Sequence, residues 1–159
     1  MSPQGDRIAF VRYDDQIFDF ALVVSDIDGT NEQVVATRKQ GNTLSEYGLA
    51  WSPDGSKVVC PVGYWGDGHH MNPVVFDLKT GTEQQIGEFS WFLIYGVAWE
   101  HDTNSLIISA RERPTSPFQL WRVRLSDGAV QKITNDVDEY RGVSLAGDKI
   151  VTVKILEKR

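Results

Sequence analysis

The sequence predicts an all-β chain of four-stranded antiparallel sheets that repeat at intervals of about 46 to 50 residues. Three observations predict it. "YGLAW" (47–51) recurs as "YGVAW" (95–99) and degenerately as "RGVSL" (141–145). "SPQGDRIAFV" (2–11) lies over "SPDGSKVVCP" (52–61), matching Ser, Pro, Gly and a following β-branched run. A third column joins "VVSDIDGTNEQVV" (23–35), "VVFDLKTGTEQQI" (74–86) and "LWRVRLSDGAVQKI" (120–133), each an apolar run, a glycine turn and a second run.

Taken in order, the repeats run over approximately 2–51, 52–99 and 100–145, with an incomplete fourth at 146–159, all within one domain spanning 1–159. The second repeat shows each element. "YGLAW" is its first strand, "KVVCPVGY" its second, "NPVVFDL" its third and "TEQQIGE" its fourth, with tight turns at Pro53-Asp54-Gly55 and Thr80-Gly81. The third repeat carries "EHDTNS" (100–105) where the others carry "SPDG" or "SPQG", so its turn departs from the pattern. Four antiparallel strands per repeat fit the blade of a β-propeller, whose sheets stack around a channel and are covered on both faces. Trp51 and Trp99 share one slot with Leu145, which assigns them to packing between neighbouring blades.

The same alignment disposes of a tempting motif. "DIDGT" (26–30) imitates the D-x-D-x-T signature of haloacid-dehalogenase-type phosphatases, in which the first Asp attacks phosphorus. Here it occupies the slot that "DLKTGT" and "RLSDGA" fill in the later repeats, so Asp26 sits at one of three equivalent strand-connecting turns. Lys132, Asp136 and Asp138 could complete such a site, but almost no segment between 31 and 131 has the 3.6-residue apolar period that an α/β chain needs.

Composition narrows the function classes. The chain is 41% hydrophobic and 24% charged with a mean hydropathy of -0.29, a balance that supports a real core. A net charge of -6 disfavours nucleic acid as a partner, because phosphate affinity comes from clustered Lys and Arg. Cys60 is the lone cysteine, which excludes an internal disulfide and a CxxC metal knuckle and reads as a buried apolar thiol. No membrane-spanning run and no signal peptide are read from the sequence; the expectation is a soluble chain whose compartment stays open.

"WSPDG" followed by a β run, with "DGTNEQVV" or "SDGAVQKIT" ahead of the next repeat, resembles the WD-repeat-like blades of TolB-type propellers. Similar blades form the non-catalytic propellers of prolyl oligopeptidase-type enzymes. The resemblance covers nearly the whole chain and implies a ring of six or seven blades, whereas about three to three and a half are present. The first blade lacks its inner strand, and the last supplies an inner and a second strand only. If each open end presents on the order of 400 Å² of apolar surface, covering it is worth roughly 10 kcal/mol as an upper value. The chain is therefore expected to be a fragment of a longer propeller or, preferentially, half of a homodimer closing a ring of about six blades. "YRGVSL" of one copy would then supply the inner strand missing from the other, although "GDKIVTVKI" and "GDRIAFVRY" compete for one slot.

No G-x-S-x-G elbow, P-loop or dinucleotide fingerprint occurs, so no catalytic residue and no cofactor is assigned. "GYWGDGHHMN" (63–72) sets Asp67, His69 and His70 in a glycine-rich loop, but adjacent histidines converge poorly on one ion and His101 belongs to the opposite side, so no metal site is assigned. The longer loops, 13–20, 64–73 and 112–118 with 39–46, 88–94 and 134–140, emerge on one face of the ring. That face is expected to carry Tyr64, Trp65, His69, His70, Trp91, Phe92, Arg111 and Arg113, with Tyr47, Tyr95 and Arg141 near the channel mouth. Aromatics with arginine suit recognition of a protein or peptide; Trp91 and Phe92 could equally fold back onto the blades. Two function classes follow: a non-enzymatic scaffold binding through this face, or the propeller portion of a larger hydrolase or lyase that gates substrate or carries a channel-mouth site.

Overall fold

The computed structural model describes residues 1–159 except 18, 40, 67, 103, 158 and 159. Three strands open the chain: β1 (Arg7–Asp14), β2 (Asp19–Asp26) and β3 (Gln33–Arg38), paired antiparallel in that order. A second sheet follows from β4 (Asn42–Leu44), β5 (Ala50–Trp51), β6 (Lys57–Tyr64), β7 (His70–Asp77) and β8 (Glu83–Gln85). The third is a four-stranded meander of β9 (Leu93–Trp99), β10 (Ser105–Arg111), β11 (Gln119–Arg124) and β12 (Val130–Lys132). A hairpin of β13 (Glu139–Ala146) and β14 (Lys149–Ile155) begins a fourth. No described residue is helical. The architecture is all-β, with antiparallel blades that lack an inner strand at one end and two outer strands at the other.

The turns repeat as closely as the strands. In the column that contains "DIDGT", the amide of Asp26 donates to the Thr30 carbonyl, that of Asp77 to Thr82 and that of Arg124 to Ala129. Gly29, Gly81 and Gly128 donate in turn to the carbonyls of Asp26, Asp77 and Arg124, all at 2.9 Å, and all three have positive φ. Asp26 holds Asn31 through its carboxylate at 2.7 Å, a local turn contact. In the other column Ser2 closes on Arg7, Ser52 on Lys57 and Glu100 on Ser105 by the same amide-to-carbonyl bond. "EHDTNS" thus keeps the closure of "SPDGSK" without its glycine.

One strand departs from the reading. "YGLAW" is not continuous: β4 pairs with β6 through Leu44↔Val62, β5 through Ala50↔Val59, and residues 45–49 bulge out between them. The cause lies partly in Pro61, which has no amide to donate to a ladder; its carbonyl accepts from Ser45 instead. The loops read as 13–20, 39–46, 64–73, 88–94 and 134–140 are all shorter than the sequence predicts, since β1 and β2, β4, β6 and β7, β9, and β13 respectively run into them.

The bulge also brings Gly48, with φ of 85°, against the third sheet. A Cβ on Gly48 would lie 3.0 Å from the Gly96 Cα, and one on Gly96 only 2.8 Å from the Val143 nitrogen and 2.9 Å from the Gly142 Cα. The glycines of "YGLAW", "YGVAW" and "RGVSL" therefore mark the level at which successive inner strands touch backbone to backbone.

Strands buried on both faces read as continuous apolar runs, and β6 and β7 do so. Val58, Cys60, Val62, Val74 and Phe76 point with Leu22 and Leu44 into the seam between the first and second sheets, joined by Ala9, Val11, Phe20 and Trp51. Val59, Met71 and Val75 point the other way, into the seam with the third sheet, against Ile94, Val97, Trp99, Leu106, Ile108, Trp121 and Val123. Trp51 and Trp99 occupy these seams, as their shared slot predicts; the Arg7 guanidinium lies 4.9 Å over the Trp51 ring and donates to the Gly55 carbonyl at 2.8 Å. Cys60 is fully buried, and desolvation pushes its thiol up to about 12. At the far end Val151, Val153 and Ile155 alternate along one face of β14 and are 52%, 63% and 40% exposed.

Candidate functional site

The loop joining β6 to β7, the entry to β9, the end of β10 and the start of β11 bring aromatic and arginine side chains together on one side of the molecule. Trp65 lies against His69 with ring centroids 4.1 Å apart, and His69 meets Phe92 edge-on at 5.1 Å. The Arg111 guanidinium sits 5.5 Å from the Phe92 centroid and 4.8 Å from that of Phe118. Phe118 carries the strip onward to Tyr95 at 5.5 Å, and Tyr95 stacks on Tyr47 at 5.1 Å and 13°. Arg141 approaches Phe118 from the last hairpin at 5.8 Å. The strip thus crosses from the second sheet to the fourth.

Its two ends are open and its middle is covered. Trp65 is 55% and Tyr47 45% exposed, whereas Phe118 is 3% exposed beneath the arginines. Phe118 was not among the residues expected here. It lies in "PTSPFQL", whose prolines read as loop, and its only sequence signal is an apolar residue entering the "QLWRV" strand.

The electrostatics of the strip are uneven. Arg141 is neutralised by Glu139, with Nε and Nη2 both 2.7 Å from one carboxylate oxygen. Arg111 has no carboxylate within ion-pair distance among the described residues, and its buried Nε has no hydrogen-bond partner there. His69 is also incompletely satisfied: its buried Nδ1 has no partner, while the ring bonds to the Phe92 backbone. Burial, reinforced by neighbouring His70, lowers the His69 pKa and keeps the imidazole neutral, with the Phe92 bond opposing.

The other expected residues lie elsewhere. Tyr64 and His70 face each other across the β6–β7 ladder, stacked at 5.2 Å, and the Tyr64 hydroxyl donates to Gln85 at 3.0 Å. They line a cavity of about 630 Å³ with His69, Asn72 and Glu88. Arg113 is exposed and lines a separate hollow of about 640 Å³. Trp91 is not on the surface at all. It is 4% exposed, stacks on Phe89 at 4.3 Å and contacts Trp121, because alternation along an extended segment sends it into the seam and Phe92 to the strip. Asp67 lies outside the described residues. Among the described residues no three His, Cys, Asp or Glu side chains gather as a metal site.

No protein-family model matches the sequence, and no curated protein does. Solved structures match well. TolB from Acinetobacter baumannii is 22% identical with a TM-score of 0.65, over 86% of this chain and 33% of that one. A TolB-like protein from Agrobacterium tumefaciens is 20% identical with a TM-score of 0.75, over 97% of this chain and 52% of that one. A puromycin hydrolase is 15% identical with a TM-score of 0.72, over 97% of this chain and 24% of that one. The chain spans about half or less of the length of each of these structures, and at identities below 25% the TM-scores show a shared fold alone.

Proposed function

From a chain built as TolB-like β-propeller blades, we propose a non-enzymatic scaffold that binds a peptide or an exposed segment of a protein partner along the Trp65–Tyr47 strip. The supporting observation is the strip itself: aromatic rings in contact from one sheet to the next, open at both ends, around a guanidinium that no described carboxylate neutralises. Aromatics supply large contact area at small entropic cost, and arginine supplies directional donors, the pairing that dominates binding energy at interfaces. Selection from a displayed random-peptide library tests the reading. Sequences enriched on the wild-type chain should lose binding to the Trp65→Ala, Arg111→Ala double variant while circular dichroism is unchanged; enrichment that survives both changes refutes it.

A second reading, the propeller portion of a larger hydrolase or lyase, is favoured by the match to puromycin hydrolase, three quarters of which lies outside the aligned region. A reading frame continuing into a hydrolase domain, with activity lost on His69→Ala, would select it over the first.

The proposal extends to assembly. The exposed Val151–Val153–Ile155 face and the unpaired edge of β14 are covered, on this reading, by the first sheet of a second copy. Charge supports the pairing: residues 1–40 carry seven carboxylates against four cations, and residues 147–159 four cations against two carboxylates. Light scattering after size exclusion should give twice the chain mass, falling to the monomer on Val153→Asp; a wild-type monomer rejects the dimer and leaves flanking blades of a longer chain as the cover.

A further inference from the structure

We infer that Arg111 is a carboxylate receptor, so that the segment bound along the strip presents a free carboxyl group at this point. The inference rests on the strip being a binding surface and adds the chemistry of what it binds.

Arginine is rarely left unpaired away from water, since its five donors lose solvent and gain nothing in return. The other described arginines illustrate this. Arg12 pairs with Glu32, Arg38 with Glu83, Arg122 with Glu100, Arg124 with Asp127 and Arg141 with Glu139; Arg7 reaches Asp6 and a backbone carbonyl. Arg113 projects from a loop into solvent. Arg111 alone among them is half-buried, lies over two phenylalanine rings and has no acidic neighbour within ion-pair distance. This lack of compensation occurs in a chain of net charge -6, where carboxylates outnumber cations.

Geometry fixes the class of ligand. The guanidinium carbon lies over the Phe92 and Phe118 rings, and its two Nη groups, unlike the buried Nε, leave an edge of N–H bonds open to a planar acceptor. A carboxylate matches that edge with two oxygens at once. His69, edge-on to Phe92, keeps its unpaired Nδ1 buried, so the surface open to the same segment beside Arg111 is the Phe92 ring and the exposed Trp65. A peptide carboxylate on the Nη edge of Arg111, with an aromatic or apolar residue against Phe92 and Trp65, would supply the counter-charge that the guanidinium lacks. The carboxylate can come from a chain terminus or from an Asp or Glu side chain.

Three small probes separate these sources: N-acetyl-phenylalanine with a free carboxyl, its amide, and N-acetyl-aspartyl-phenylalanine amide. Binding is followed by NMR on the Arg111 Hε and Trp65 indole resonances. At least one acid should bind about tenfold or more tighter than the neutral amide, the contribution of a hydrogen bond to a charged group, and which acid binds identifies the source. Arg111→Gln should abolish that preference while the spectrum stays folded; Arg111→Lys, which keeps charge but loses the fork, should retain only part of it. Equal binding of all three probes, or no binding of either acid up to the solubility limit, overturns the inference. The peptide-display selection with Trp65→Ala alone is the independent check on the strip, so carboxylate selectivity can fail while the binding face stands.

Discussion

Replacing Gly96 by alanine tests the stacking of the blades at the point where they touch most closely. An alanine Cβ there would lie 2.8 Å from the Val143 nitrogen and 2.9 Å from the Gly142 Cα, against an ordinary contact of 3.4–4 Å. Both obstacles are backbone of the next inner strand, so no side chain can swing aside and the sheets must part by roughly half an ångström. Overpacking of this kind costs about 1–3 kcal/mol. The alanine also stiffens the unfolded chain, a stabilising term of about 0.4–1 kcal/mol that must be removed from the comparison. Gly66→Ala removes it, because nothing lies within 4 Å of a Cβ at Gly66 and its φ is ordinary. The difference between the two variants in urea denaturation should be about 1–3 kcal/mol, or a melting point lower by about 2–4 °C per kcal/mol for a chain of this size. A Gly96→Ala variant within about 0.5 kcal/mol of Gly66→Ala would refute the backbone contact and the register of the inner strands with it.

Two further outcomes are expected. Trp91→Ala should destabilise the chain by about 3–5 kcal/mol as a buried aromatic lost from the seam, whereas Trp65→Ala, 55% exposed, should change stability little in the same urea titrations. Cys60 gives a pH dependence: its folded pKa of about 12 lies above the unfolded value of 9.0, so its contribution is complete below pH 9 and is lost as pH rises toward 12. Stability measured at pH 8 and pH 10 should therefore fall by about 1 kcal/mol more in the wild type than in Cys60→Ala.

The blades were legible because a repeat states each element several times. "DIDGT" alone suggests a nucleophile; beside "DLKTGT" and "RLSDGA" it is a turn, and the shared amide-to-carbonyl bonds show why. What one copy does differently was not legible. The break in "YGLAW" depends on Pro61 in the neighbouring strand and on Gly96 in the next sheet, partners that no local pattern names. The site divides along similar lines. Trp65, His69, Phe92, Arg111, Tyr47, Tyr95 and Arg141 are brought into one strip because they flank loops on one face. Trp91 and Phe92 needed the alternation of an extended segment whose phase the sequence leaves open, and Phe118 was hidden by the prolines before it.

No residue of β13 or β14 is fully buried, while β6 and β7 are buried nearly throughout. The molecule should therefore come apart directionally. Amide hydrogens of the last hairpin will exchange through a local opening of small free energy, and those of the second sheet only when everything opens. A partner seated on the terminal hairpin would slow that exchange before any other, which makes the loosest part of the chain the most sensitive place to detect one.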